Sequence, residues 1–282
     1  MSHFSVAVIV HDGASLDDLL APYQENNMGD CPKKYMEFVD TEDKHRGEYE
    51  TGMTEKVKTP DGRLLEPFDE EFRVPGTFGL GTDTHKVPEG AGYEKVYIKF
   101  TELYSTFEEY MADYHGYDER DPDTGKYGYW ENPNAKWDWW QIGGRFSNHF
   151  KTKDGQKVND CLVRDMDRTP DEAAREKALR FWEIIVEGSP LRPGEEKPFN
   201  MYGPGYYLEQ YGTKEEYAAE QAGDAPWAFI TPDGVWHEKG EMGWFATHNA
   251  TQDKRKTFNA AWEEAIAAAA PDDWVVLVDC HI

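Results

Sequence analysis

The sequence predicts an α+β fold: a mixed, mainly antiparallel sheet with helices packed on one face, ferredoxin-like in its elements, carrying a long irregular insertion. Three observations carry that expectation. β-Branched and apolar runs stand near both ends of the chain, Phe4 to Val10 and Trp274 to His281. Strand-like and helix-like segments alternate at each end. Between them, residues 26 to 92 hold scattered Gly, Pro and acidic residues with little clean periodicity. No repeat of 20–50 residues interrupts this picture, so residues 1–282 are expected to form one domain, with 26–92 as a loop-rich insertion.

Taken in order, Phe4 to Val10 is a strand closed by Asp12-Gly13. Ser15-Leu-Asp-Asp18 is a helix cap followed by first-turn acids, and Pro22 stops that helix. In the insertion, Pro60-Asp-Gly62, Pro75-Gly76, Gly79 and Gly81 mark turns and loops. Tyr93 to Phe100 is a second strand. Ser105-Thr-Phe-Glu108 opens a helix whose Phe107, Tyr110, Met111 and Tyr114 recur at helical spacing. Thr169-Pro-Asp-Glu172 opens another, with Ala173, Ala178, Phe181, Trp182 and Ile185 as its inward stripe and Gly188 as its end. Thr213-Lys-Glu-Glu216 caps a short helix that runs to Gly223. Trp227 to Thr231, Pro232-Asp-Gly234 and Val235 to His237 form a hairpin. Gly243 to Thr247 is expected to be a strand. Residues 252–269 form an amphipathic helix with Phe258, Trp262 and Ile266 aligned, and Trp274 to His281 is the last strand.

Composition narrows the function classes. Hydrophobic residues are 39% and aromatic residues 14% of the 282, enough for a real core. The formal net charge of −25 repels phosphate backbones, so direct nucleic-acid binding through a basic surface is not expected. A continuous acidic face would instead mimic a nucleic acid, although the carboxylates are spread along the chain. Cys31, Cys161 and Cys280 stand far apart with no CxxC or Cys/His finger spacing, which argues against a zinc finger and fits a reducing cytoplasm. The first ten residues lack a basic segment and read as a buried strand rather than a signal peptide. No run of about 18 apolar residues suggests a membrane span.

Two constellations could carry chemistry. The first is Asn132-Pro-Asn-Ala-Lys-Trp-Asp-Trp-Trp-Gln-Ile-Gly-Gly-Arg145. If residues 136–142 are extended, Trp137, Trp139 and Gln141 share one face and Lys136, Asp138, Trp140 and Ile142 the other. The first face suits stacking on a flat ligand, with Gln141 reading an edge. Gly143 and Gly144 let the backbone approach a neighbour closely, and Arg145 offers a planar cation. A small anionic or nucleotide-like ligand is the expected occupant. The competing interpretation is a strand that buries its tryptophans, a glycine bulge, and an arginine paired with a carboxylate.

The second constellation joins the chain ends. If the first and last strands are neighbours, His3 meets Asp279 and His281, a set that admits a divalent metal; capping of a sheet end with polar groups is the alternative. Cys280 falls on the face of Val276 and Val278, as a core residue. The remaining histidines show no HxxxH or HExxH spacing, and no GxSxG motif is present.

The segments Met1-Ser-His-Phe4, Leu20 to Asn26, Asn132 to Arg145, Gly240-Glu-Met-Gly-Trp-Phe245 and Val278-Asp-Cys-His-Ile282 together resemble an uncharacterised bacteriophage and bacterial protein family. The tract ending in Trp-Asp-Trp-Trp-Gln-Ile-Gly-Gly-Arg145 is the most specific of them. The resemblance carries no established activity, so it assigns no catalytic residue. It implies an accessory phage-type protein acting in the cytoplasm of a bacterial host, where such proteins counter host functions or defences. The sequence-level expectation is therefore a non-enzymatic binder of a small anionic ligand or of a host protein. A metal-dependent hydrolase or nuclease using His3, Asp279 and His281 is one alternative, and an acidic nucleic-acid mimic the other.

Overall fold

β1 (His3–Val10) is buried over seven consecutive residues, because both of its faces are covered. In this computed structural model, which describes residues 2–78, 82–90 and 92–282, the chain continues through α1 (Leu16–Leu20), β2 (Glu37–Asp40), α2 (Glu42–Thr51), β3 (Met53–Lys58), β4 (Leu64–Leu65), β5 (Arg73–Phe78), β6 (Thr82–His85), β7 (Glu94–Lys99), α3 (Phe100–Leu103), α4 (Phe107–His115) and β8 (Gly128–Glu131). It then forms β9 (Trp139–Ile142), β10 (Phe150–Lys151), β11 (Lys157–Val158), β12 (Asp160–Leu162), α5 (Glu172–Ile185), α6 (Pro204–Tyr211), α7 (Lys214–Ala222), β13 (Ala228–Ile230), β14 (Trp236–Glu238), α8 (Gln252–Ala268) and β15 (Trp274–His281). The fold class is α+β, as the sequence predicts.

The chain divides into two compact units, residues 1–37 with 131–282 and residues 38–130. This differs from a single domain with an insertion at 26–92. The first unit is built on a sheet in the order β12-β15-β1-β13-β14, with β9 also pairing β15. Only β1 and β13 run parallel; β15 lies antiparallel to β1, β9 and β12. α8 covers one face. Its N-cap Thr251 accepts from Lys254 N, and Phe258, Trp262 and Ile266 pack on Ala7, Ile9, Phe229, Val275 and Leu277. The other face is covered as well, by α1 and the start of the Trp-rich tract: Leu20 and Trp137 pack on Phe4, Val6, Val8, Val278 and Cys280. Cys280 is thus a core residue, and burial pushes its thiol well above the ordinary value. Beside the sheet, α5, α6 and α7 share a small core around Trp182, Tyr207 and Tyr217.

The second unit is more regular than its composition suggests. β3 pairs β7 over six residues and β4 along its other edge. Phe100, Phe107, Tyr110, Met111 and Tyr127 form its core. Gly79 and Gly81, two of the expected loop markers, lie outside the described residues.

Three local expectations need correction. The helix expected from Thr169 starts two residues later, because Asp171 accepts from Ala173 N and Ala174 N and outcompetes the threonine. The helix expected from Ser105 uses Thr106 as its cap, while Glu109 reaches back to Ser105 N. Gly243 to Thr247 is no strand: Trp244–Ala246 is a tight turn with Phe245 and Ala246 at positive φ. No helix among the described residues is long and apolar enough to cross a membrane.

Candidate functional site

α8 covers the sheet only part of the way along β1 and β15. Beyond it the same face turns polar. The register sets His3 opposite His281 and Ser5 opposite Asp279, and places Trp139 beside His281 and Gln141 beside Asp279. Side chains at every second position share a face. His3, His281, Trp139, Ser5, Asp279 and Gln141 therefore occupy one patch. The two constellations seen separately in the sequence are one place in the fold.

The histidines do not converge on one point. His3 Nδ1 lies 2.8 Å from Asp279 Oδ1, whereas His281 Nδ1 lies 2.6 Å from Asp138 Oδ1. The expected set His3, Asp279 and His281 is thus two neighbouring His–Asp pairs, with ring centroids 4.9 Å apart. Asp138 does not stand on the face that period-two alternation predicts for it, for a physical reason. The chain bends at Asp138, whose carboxylate accepts from Trp139 N at 2.8 Å, and β9 begins only at Trp139. The bend breaks the period-two alternation, so Trp137 does not share a face with Trp139 and Gln141. Trp137 is buried with Phe4 and Val6, and it is core rather than a ligand platform. Trp139 is 42% exposed, stacks on His281 at 5.1 Å and meets the edge of His3 at 5.3 Å.

Gly143 and Gly144 do allow a close approach, but to Asn159 and Asp279 rather than into open space. A Cβ on Gly144 would sit 2.3 Å from Asp279 Oδ2, and one on Gly143 would sit 2.6 Å from Asn159. Both have positive φ, the region glycine adopts freely. The turn brings Arg145 N to 2.9 Å from Asp279 Oδ2. The fully buried Asp279 carboxylate is thereby held by a backbone donor on one oxygen and His3 on the other. Arg145 projects its side chain outward, exposed and with no ion pair among the described residues.

Segments 2–4, 20–26, 132–145, 240–245 and 278–282 meet at this end of the sheet. Ser2 and Ile282 exchange backbone hydrogen bonds, and Ser2 Oγ donates to Gly243 O at 2.6 Å. Asn132 Nδ2 donates to Pro22 O and Gln24 O. Glu25 N donates to Trp137 O.

His3 and Ser5 also line a cleft of about 430 Å³. Tyr206, Glu220, Lys239, His248 and Arg255 are among its other functional groups. Lys239 and Arg255 are buried at 4% and 5% exposure, and both bond the same oxygen of Glu220, at 2.9 and 2.6 Å. Burial pushes the Lys239 ammonium below its ordinary value, and Glu220 pulls it back up. Arg255 lies over the rings of Tyr211 and Trp227. His248 Nε2 meets Tyr206 Oη at 2.8 Å, while its Nδ1 is buried without a hydrogen-bond partner. Burial also lowers the pKa of His248. None of these residues carries a local motif. Lys239 and Arg255 come from the end of the β13–β14 hairpin and the first turns of α8, and only the fold joins them.

Comparison with protein-family models, curated proteins and solved structures finds no match to this chain.

Proposed function

We propose that this protein binds a small anionic ligand in the cleft beside the polar end of its main sheet. One observation carries the reading. Two buried cations, Lys239 and Arg255, share a single oxygen of a single carboxylate, in an open cleft of a chain whose net charge is −25. Buried charges require counter-charges. A ligand carboxylate or phosphate would supply the second negative charge, and it would offset the burial that disfavours the Lys239 ammonium. The unpartnered His248 Nδ1 adds a group able to donate to an anion. The cleft volume lies in the range of sites for small ligands, and its aromatic walls suit a nucleotide-like molecule.

A thermal-shift series tests this with inorganic phosphate, nucleotides and simple carboxylates, each paired with a neutral analogue such as the nucleoside. Binding at about 100 times Kd stabilises by about 2.7 kcal/mol, which for a chain of this size raises Tm by about 5–10 °C. Lys239→Met leaves Arg255 and Glu220 as a balanced pair and should abolish the shift. If no anion shifts Tm at millimolar concentration, or the nucleoside works as well as the nucleotide, the reading fails.

A second reading, metal-assisted hydrolysis at His3 and His281, has its own support. Each Nδ1 is occupied by a carboxylate, the arrangement that orients Nε2 as a base or metal ligand. Elemental analysis of the purified chain beside its His3→Ala and His281→Ala variants distinguishes the two. Unchanged metal content in both variants rules out this second reading.

A further inference from the structure

A third cluster of histidines belongs to the other compact unit, residues 38–130. His45 and Glu48 stand three residues apart on α2, which puts their side chains on one face of the helix. His115 is the last residue of α4, followed by Gly116 in the left-handed conformation that ends the helix. His45 Nδ1 lies 3.3 Å and His115 Nε2 3.4 Å from the same oxygen, Glu48 Oε2. All three atoms lie within 4.8 Å of one another. The two imidazole centroids are 3.8 Å apart. Tyr110 Oη lies 2.9 Å from His115 Nε2.

We propose that His45, Glu48 and His115 form a binding site for one divalent first-row transition ion, with Zn²⁺ the best fit. The distances favour this over a plain hydrogen-bonded triad. Charge-assisted N–H···O bonds settle at about 2.7–2.9 Å, and both contacts here are longer. Ligands at about 2.0–2.1 Å around a tetrahedral ion stand about 3.4 Å from one another, which matches both contacts. The donor set is two imidazoles and one carboxylate, without sulfur, which suits Zn²⁺, Fe²⁺ or Mn²⁺ rather than Cu⁺. Side-chain exposure falls from 38% at Glu48 to 10% at His45. The carboxylate thus faces solvent and gives an ion a way in, while the imidazoles hold the dry side. Tyr110 Oη bonds His115 Nε2 and would give up that nitrogen to the ion.

The test uses the full chain, stripped with a chelator and titrated with Zn²⁺ by calorimetry and with Co²⁺ by visible absorption. One equivalent should bind, and Co²⁺ should show the intense visible bands of a near-tetrahedral site. Even outer-sphere partners of metal ligands are worth about 10–100-fold in affinity, so Glu48→Ala and His115→Asn should each weaken binding by at least about 100-fold. Glu48 is partly exposed, so its variant should keep the wild-type circular dichroism spectrum and remain interpretable if His115→Asn does not fold. His3→Ala should leave this equivalent intact, which separates the site from the one at the sheet end. Absence of Zn²⁺ and Co²⁺ binding at micromolar concentration overturns the proposal. So does binding of undiminished affinity in a folded Glu48→Ala variant.

Discussion

Gly144→Ala tests the geometry of the sheet end most directly. The new Cβ would lie 2.3 Å from Asp279 Oδ2 and 2.5 Å from Asp279 Cβ. Rotating the carboxylate relieves only the first contact, because the second involves the base of the side chain. The turn must therefore retreat from β15. Retreat breaks the Arg145 N bond to Asp279 and strains that of Gly143 N to Leu277 O, both 2.9 Å. A hydrogen bond to a charged group is worth about 1.5–3 kcal/mol and a neutral one about 0.5–1.5 kcal/mol. Holding alanine at a φ of +53 adds about 1–2 kcal/mol. The total is about 3–6 kcal/mol. Gly13→Ala is the control: its φ is +80 with nothing within 4 Å of a Cβ, so it carries only the backbone cost of about 1–2 kcal/mol. Nine of the ten tryptophans lie in the unit that holds both glycines, Trp130 being the exception, so tryptophan fluorescence follows its unfolding in urea. If Gly144→Ala lowers stability no more than Gly13→Ala does, the close packing of the turn on Asp279 is refuted.

Two further outcomes follow from the same structure. Trp137→Ala should cost about 3–5 kcal/mol as a core truncation, and Trp139→Ala only about 0.5–1.5 kcal/mol for its ring contacts; urea midpoints ranked the other way would reverse the assignment of Trp137 to core and Trp139 to surface. Burial holds the pKa values of His149 and His248 below the ordinary histidine value. The unfolded chain therefore takes up protons first as pH falls through about 6.5, so this contribution is fully present above that pH and is lost below it. The urea midpoint should drop between about pH 7.5 and pH 5.5, and His149→Gln should flatten the drop. A midpoint that holds or rises toward pH 5.5 contradicts this.

What could be read from the sequence was whatever a local pattern determines. β1 and β15 are long apolar runs buried on both faces, and α8 is long with its buried residues at helical spacing. The merger of the Trp-rich tract with the chain ends was only half legible. The sequence supplied His3, Asp279 and His281 as strand neighbours, but the bend at Asp138 depends on a carboxylate caught between Trp139 N and His281. Such a bend leaves no mark on periodicity. It moved Trp137 into the core and gave His281 its partner. The regular elements between Glu37 and Lys58 escape a reading of the sequence for a related reason. α2 carries ten residues with only His45 buried, so its apolar stripe is too thin to be seen. His45-Arg-Gly-Glu48 is a ligand spacing that a search for HxxxH and HExxH passes over, and its third member lies on another helix. Lys239, Glu220 and Arg255 belong to three separate elements, and no spacing connects them.

The strongest physical reason to assign function to the sheet end is what it costs to keep it polar. Asp279 is fully buried, His281 is 7% exposed, and the His3 side chain is 9% exposed. A buried ion pair exchanged for well-packed apolar residues often leaves a protein equally or more stable. A strand end whose only task is to finish a sheet has no need of two largely buried His–Asp pairs, a glycine forced into the left-handed region and a backbone amide aimed at a carboxylate. A double-mutant cycle on His3 and Asp279 puts this to the test. Removing Asp279 alone, as Asp279→Leu, leaves His3 and Arg145 N without their acceptor and should cost about 3–5 kcal/mol. Adding His3→Leu should return at least about 1 kcal/mol of that loss as coupling, because one of the two orphans is then gone. If the double variant is near wild type in stability yet loses the response to anions or metal, the polar pair is kept for use. If it loses stability by the full sum of the single changes, the pair is not coupled, and the case for function must rest on Lys239 and Arg255 alone.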